Sequence, residues 1–324
     1  MVGDRAPSVA EFNAVIDSFA STGPWSLVDV STVAGIVREA RQNTPTGPLV
    51  VKHDYCTHIL EVAFPPLDSM TALETMYEDV WDRLRLAAGT VDGSFSECVF
   101  LERLPDGFVF AELTPYVERT GRLLGRDLPP KPLAVRHFLA QMVATQVTLE
   151  VDVPYLYSHL RGAYSLLYLV PMAFPRPAVV AGREYCSVRP LVYRDSLPGH
   201  PLAGIPSVIP TDREGYEALV ARIPLALRDY SFLAPRPRDL LEVRIGDPQA
   251  TFEATENLIA LILLVMVAAG EAAVDRDPAT AFYAYCEDGT VPDRFSGDLE
   301  VLEQTAVRLP EPWRAPLELL AESV

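Results

Sequence analysis

The sequence of 324 residues predicts an α+β fold: a largely antiparallel, curved sheet with helices packed on its outer face. Three observations carry this. Short segments that alternate apolar and polar residues are scattered among longer stretches of helical period. The connections between them vary widely in length, unlike a regular strand–helix–strand alternation. The 29 prolines cluster at segment ends, such as 65–66, 129–130 and 235/237, and so punctuate the elements. With no internal repeat and no low-complexity linker, the whole of 1–324 reads as one domain.

Along the chain, residues 8–19 have helical spacing. Residues 31–42 do too, with Ser31 placed to cap them. Residues 69–88 carry an apolar stripe at Leu73, Met76/Tyr77, Val80/Trp81 and Leu84, behind Ser69 as N-cap. Further helices are expected over 137–143, 157–169, 213–221, 255–273 and 299–309. Strands are expected over 59–64, 98–101, 108–113, 144–153 and 240–245.

Composition narrows the function. A net charge of −17 makes nucleic acid and anionic membrane poor partners, although a phosphate ligand can still be met by local Arg or Lys. The longest apolar run, "LIALILLVMVAA" at 258–269, has twelve residues, against the roughly 20 needed to span a bilayer, and reads as a buried core helix. The four cysteines, Cys56, Cys98, Cys186 and Cys286, are widely spaced, and no secretory leader opens the chain, so reduced thiols and a cytoplasmic location are expected. Trp25, Trp81 and Trp313 read as core or interface residues.

The densest group of chemistry-bearing residues is "HDYCTHILEVAFPP" at 53–66, with His53, Asp54, Cys56, His58 and Glu61 inside nine positions. Their spacing matches no common zinc pattern, and no second His/Cys cluster exists to complete one. The carboxylates suggest a hard divalent cation held by oxygens. In 59–64, Leu60, Val62 and Phe64 share one face, and Glu61 sits on the other between Ile59 and Ala63. Asp54 meets Glu61 only if the chain bends near 55–57. "ATQVTLEVDV" places Gln146, Thr148, Glu150 and Asp152 on one face. "LLEVRIGD" places Glu242 and Arg244 together. A sheet with helices on one side and water on the other alternates in this way without any site. The polar faces nevertheless hold Glu, Gln and Arg, and these three strands contain no Lys.

These segments together resemble the glutamate–cysteine ligases and related carboxylate–amine ligases, which share a fold with glutamine synthetase. "HDYCTHILEVAFPPLDSMTALE" is similar to that family's "D…LLE…TPP" strand and following helix. "MVATQVTLEV" is similar to its middle strand. "LRGAYSLLYLVPMAFPRPAVVAGREYCSVRPLVYRD" resembles its helix, turn and "S-x-R" segment. "LLEVRIGDPQATFEATENLIALILLVMVAA" resembles its "EVRSLD" strand and apolar helix. The four lie in the family's order over roughly 48–275.

The resemblance implies a glutamine synthetase-like catalytic core that uses ATP and Mg²⁺ to phosphorylate a carboxylate, commonly that of glutamate. An amine acceptor then displaces the phosphate to form an amide, in a specialised biosynthetic pathway. By position, Glu61, Glu242 and Asp54 become metal ligands. Gln146, Thr148 and Arg244 become nucleotide contacts, Asp54, His58 and Arg189 become substrate contacts, and Arg244 and Arg189 become the catalytic cations. One departure is plain: the family's opening "E-x-E" strand is missing, and "PWSLVDV" offers only Asp29 in its place. A non-catalytic relative that keeps the fold and binds a nucleotide, ligand or partner subunit is therefore a rival reading. Phosphotransfer to a guanidino group is a third. The oligomeric state is open, a homodimer included.

Overall fold

The computed structural model describes residues 5–95, 99–111, 127–198, 200, 202–221, 230–236, 239–310 and 314–322. Cys98, Trp313 and residues 112–113 of an expected strand lie outside them. The fold is α+β, with antiparallel ladders and packed helices. The antiparallel pairing is distributed over a four-stranded, a three-stranded and a two-stranded sheet. The chain divides into two compact units, Met1–Gly125 with Leu139–Gln141, and Arg126–Phe138 with Met142–Val324.

The first unit opens with helix α1 (Val9–Ser21). Ser8 and Glu11 form a reciprocal capping box, which satisfies backbone N–H groups that a helix start leaves open. Four strands follow as a meander: β1 (Ser26–Thr32), β2 (Gly35–Thr44), β3 (Gly47–Asp54) and β4 (Cys56–Ala63). Helix α2 (Met70–Ala88) then starts at Ser69, whose side chain accepts from the Ala72 amide. Phe12, Ile16 and Phe19 of α1 meet Val80 and Leu84 of α2 and Ala40, Leu49 and Val51 of the sheet in one core.

Residues 31–42 are a β-hairpin, not the expected helix. Val33, Ile36, Val37 and Ala40 fall at helical spacing, but turn chemistry overrides it. Thr32 Oγ1 donates to Gly35 O and accepts from Ala34 N, and Gly35 takes φ 109°, a left-handed value suited to glycine. Residues 137–143 contain only a single 3₁₀ turn, Phe138–Ala140. The strand expected at 108–113 is a short run beside β4, where Thr57 N donates to Val109 O and Ala111 N to Tyr55 O.

In the second unit, β5 (Thr145–Glu150) precedes α3 (Val153–Leu166) and the short α4 (Leu169–Ala173). The hairpin β6 (Ala178–Val180) and β7 (Arg183–Tyr185) leads to α5 (Val188–Ser196) and α6 (Arg213–Ala221). Strands β8 (Leu233–Arg236) and β9 (Leu240–Gly246) complete a sheet in the order β5–β9–β8. Helix α7 (Phe252–Ala268) carries most of the apolar run and is buried at Leu258, Leu261, Ile262, Leu264 and Val265. It packs against α3, α9 (Phe295–Ala306) and α10 (Pro316–Glu322), while α8 (Pro278–Asp288) packs on α3 and α5. Among the described residues, no helix is long and apolar enough to cross a membrane.

Candidate functional site

The three-stranded sheet of the second unit separates an apolar face from a polar one. Leu241, Val243 and Ile245 are buried, as is Leu233 of β8. On the other face Thr148 and Ala234 stand opposite Glu242, one from each neighbouring strand. Gln146 lies at the β-bulge between Thr145 and Val147, exposed like Thr148 and Glu150. Bulges re-aim side chains, and this one sits at the end of β5 nearest Arg244.

Glu242 is the centre of the face. Arg236 Nε donates to its Oε2 at 2.5 Å and Arg244 Nε to its Oε1 at 2.7 Å. Burial works against ionising this carboxyl, but the guanidinium groups of Arg244 and Arg236 outweigh burial and hold its pKa below the ordinary 4.5. Gln146, Thr148, Glu242 and Arg244 are thus brought to one face, as their assigned roles require. Arg236 joins them unannounced. It ends an edge strand containing Pro235, a position where proline is tolerated but which reads in sequence as a break.

Arg189 is elsewhere and is put to another use. Its guanidinium is 1% exposed, donates from Nε to Asp247 Oδ1 at 2.6 Å, and reaches Ile245 O and Gly246 O from Nη2. It ties the end of β9 to the first turn of α5. A phosphate or substrate carboxylate would have to displace Asp247 to reach it, so the catalytic and substrate roles expected of Arg189 are not open to it.

In the first unit the bend that Asp54 needed is present. Tyr55, at φ 59°, reverses the chain between β3 and β4. Glu61 stands opposite Lys52, whose Nζ is 3.1 Å from Glu61 Oε2. Burial disfavours the Lys52 ammonium, but Glu61, Asp54 and Glu39 more than offset this and raise its pKa. A lysine therefore occupies the centre of the acidic group. His58 points to the opposite face from Glu61, and its Nε2 donates to Ala140 O at 2.8 Å. Cys56 is fully buried and packs with Tyr55 and Ala140.

These residues do not fit Mg²⁺. Glu61 faces an ammonium and Glu242 two guanidinium groups, so a divalent ion would meet like charge at each carboxylate. Among the described residues, no group of three or more His, Cys, Asp or Glu is placed to hold a metal. The expected metal set Glu61, Glu242 and Asp54 is also split, with Asp54 and Glu61 in the first unit and Glu242 in the second.

No family model matches the chain, and comparison with curated proteins finds no match.

Proposed function

We propose that the chain keeps the plan of a carboxylate–amine ligase and works as a binding protein for an anionic small molecule, a nucleotide phosphate or an amino-acid carboxylate. The observation that carries this is the row Arg236–Glu242–Arg244, flanked by Thr148 and Gln146, on the polar face of the β5–β9–β8 sheet. Guanidinium forks match phosphate and carboxylate oxygens. Glu242 holds both forks in place, and an incoming anion would compete with it for them. The Thr148 hydroxyl and the Gln146 amide add neutral donors and acceptors beside the charges. Binding without turnover is favoured because each carboxylate assigned to metal by the resemblance, and given a partner above, is matched to a basic side chain.

A second reading is the ligase itself: ATP-dependent amide formation between an amino-acid carboxylate and an amine through an acyl phosphate. The gathering of Gln146, Thr148, Glu242 and Arg244 on one face favours it. One pair of measurements separates the two. Equilibrium binding of ATP and of pooled amino acids is measured first, then ADP release with Mg²⁺, ATP, amino acids and amines, with mass spectrometry of any product. Binding that Arg244→Ala weakens, with no ADP released, supports the binding protein. Amino-acid-dependent ADP with an amide product establishes the ligase. Loss of neither binding nor turnover in Arg244→Ala removes this face from both readings.

A further inference from the structure

A small pocket in the first unit lies between α1, β4 and the end of α2. Its volume is about 50 Å³, and Phe12, Val15, Leu60, Ala88, Val91 and Phe95 form its apolar wall. His58 is its one imidazole, and no charged side chain lines it. The hydrogen bonding of His58 fixes what that ring offers. Its Nε2 is 2.8 Å from Ala140 O, and a carbonyl oxygen only accepts, so Nε2 carries the proton. Nδ1 of the neutral ring is then an acceptor, and it is buried with no hydrogen-bond partner. Burial lowers the pKa of this imidazole and keeps it neutral. Native proteins seldom leave a buried acceptor unmet, because its desolvation goes uncompensated.

We propose that this pocket is a binding site for a neutral, apolar group bearing one hydroxyl, of the aliphatic alcohol class, whose O–H donates to His58 Nδ1. The apolar wall opposes an ammonium or a carboxylate, since neither would find a counter-charge there. An ether or hydrocarbon of the same size would leave Nδ1 unmet. The volume is about a third of the roughly 150 Å³ of a cavity that takes benzene, so it suits a short alkyl alcohol or the end of a longer one. The site is independent of the anionic face of the second unit and stands or falls separately from it.

The test uses the full chain labelled with ¹⁵N-histidine and titrated with n-butanol or with its isomer diethyl ether, which has no donor. The expected result is a saturable shift of the His58 Nδ1 resonance with butanol. Ether should bind at least tenfold more weakly, and His58→Phe should lose the butanol site. Because His58→Phe also removes the bond to Ala140, Val15→Phe supplies a second variant. It fills the pocket, and it should abolish the butanol response while leaving the Nε2–H signal in place. Equal binding of ether and butanol, retention of binding in His58→Phe, or an unchanged butanol response in Val15→Phe would overturn the proposal. So would the absence of any saturable shift, which would mean that the pocket holds water only.

Discussion

Arg189 and Asp247 meet in the interior of the second unit, Nε 2.6 Å from Oδ1, with both side chains almost wholly buried. Removing one partner of such a pair leaves a buried charge uncompensated, which costs about 3–5 kcal/mol. Arg189→Met should therefore destabilise the second unit by that amount in urea unfolding. The double variant Arg189→Met/Asp247→Leu should recover much of the loss, because the stranded carboxylate goes with its partner. A ligand-contacting arginine would behave otherwise: its loss would abolish binding and leave the unfolding midpoint in place.

Glu242 makes a prediction about pH. Its folded pKa lies below the ordinary 4.5 because Arg244 and Arg236 together outweigh the effect of burial. A depressed folded pKa contributes stability that is complete above the unfolded value and is lost as pH falls through the lower folded value. The second unit should thus lose stability on acidification below about pH 4.5, where the unfolded carboxyl protonates first. Glu242→Gln should flatten that part of the curve, as measured by urea midpoints at a series of acidic pH values. An unchanged acid slope in the variant would show that the two arginines do not hold this carboxylate in solution.

The polar face of β5 and β9 was legible in the sequence because period-two alternation sorts residues by face whatever the tertiary context. Glu242 with Arg244, and Gln146 with Thr148, needed nothing more. The partners of these residues were not legible. Arg236 arrives through β8, whose Pro235 reads as a break, and Lys52 arrives through β3, where no strand was expected. Both are cations, and both act on carboxylates that the sequence alone suggests are waiting for a metal. Arg189 was misplaced for a related reason. Its own segment says nothing of Asp247, fifty-eight residues away, which claims it. Helix starts at Ser8 and Ser69 were readable as local chemistry, whereas the 31–42 hairpin was hidden by apolar positions that happen to fit both periods.

That hairpin is tied to α1 by a single side chain. Asn13 Nδ2 donates to Ile36 O and its Oδ1 accepts from Arg38 N, so the amide mimics one peptide of a neighbouring strand along the open edge of β2. Arg38 reinforces the contact through ion pairs with Asp17 of α1 and Asp29 of β1. Asn13→Ala should cost the first unit about 1–2 kcal/mol, the net value of two modest hydrogen bonds. Hydrogen exchange should locate the loss at the Arg38 amide. Protection at Arg38 equal to wild type would mean that the edge is closed by something other than Asn13.

Gly162 marks the closest approach in the helical part of the second unit. A Cβ there would stand 2.0 Å from Ala269 O, the carbonyl that follows α7. The obstacle is backbone, which cannot swing aside as a long side chain would. Gly162→Ala should therefore cost about 3 kcal/mol, at the upper end of overpacking, although alanine is the better helix former. A stabilised variant in thermal unfolding would show that α3 and α7 are farther apart than this contact requires.

Lys52 offers the sharpest test of the view that basic side chains have taken over the cation sites. Its ammonium is 3.1 Å from Glu61, and its pKa is also raised by Asp54 and Glu39. Lys52→Met would remove the only cation among those four residues and leave three carboxylates to repel one another. The variant should lose about 1 kcal/mol or less, because the pair is partly exposed and screened by solvent. The loss should be relieved by millimolar Mg²⁺ or Ca²⁺, since any ion that binds the folded state alone raises the unfolding temperature. Wild type should show no such response at equal ionic strength. If Lys52→Met is equally indifferent to divalent ions, the acidic group is too dispersed to hold one. If wild type already responds, Lys52 is not filling the cation's place.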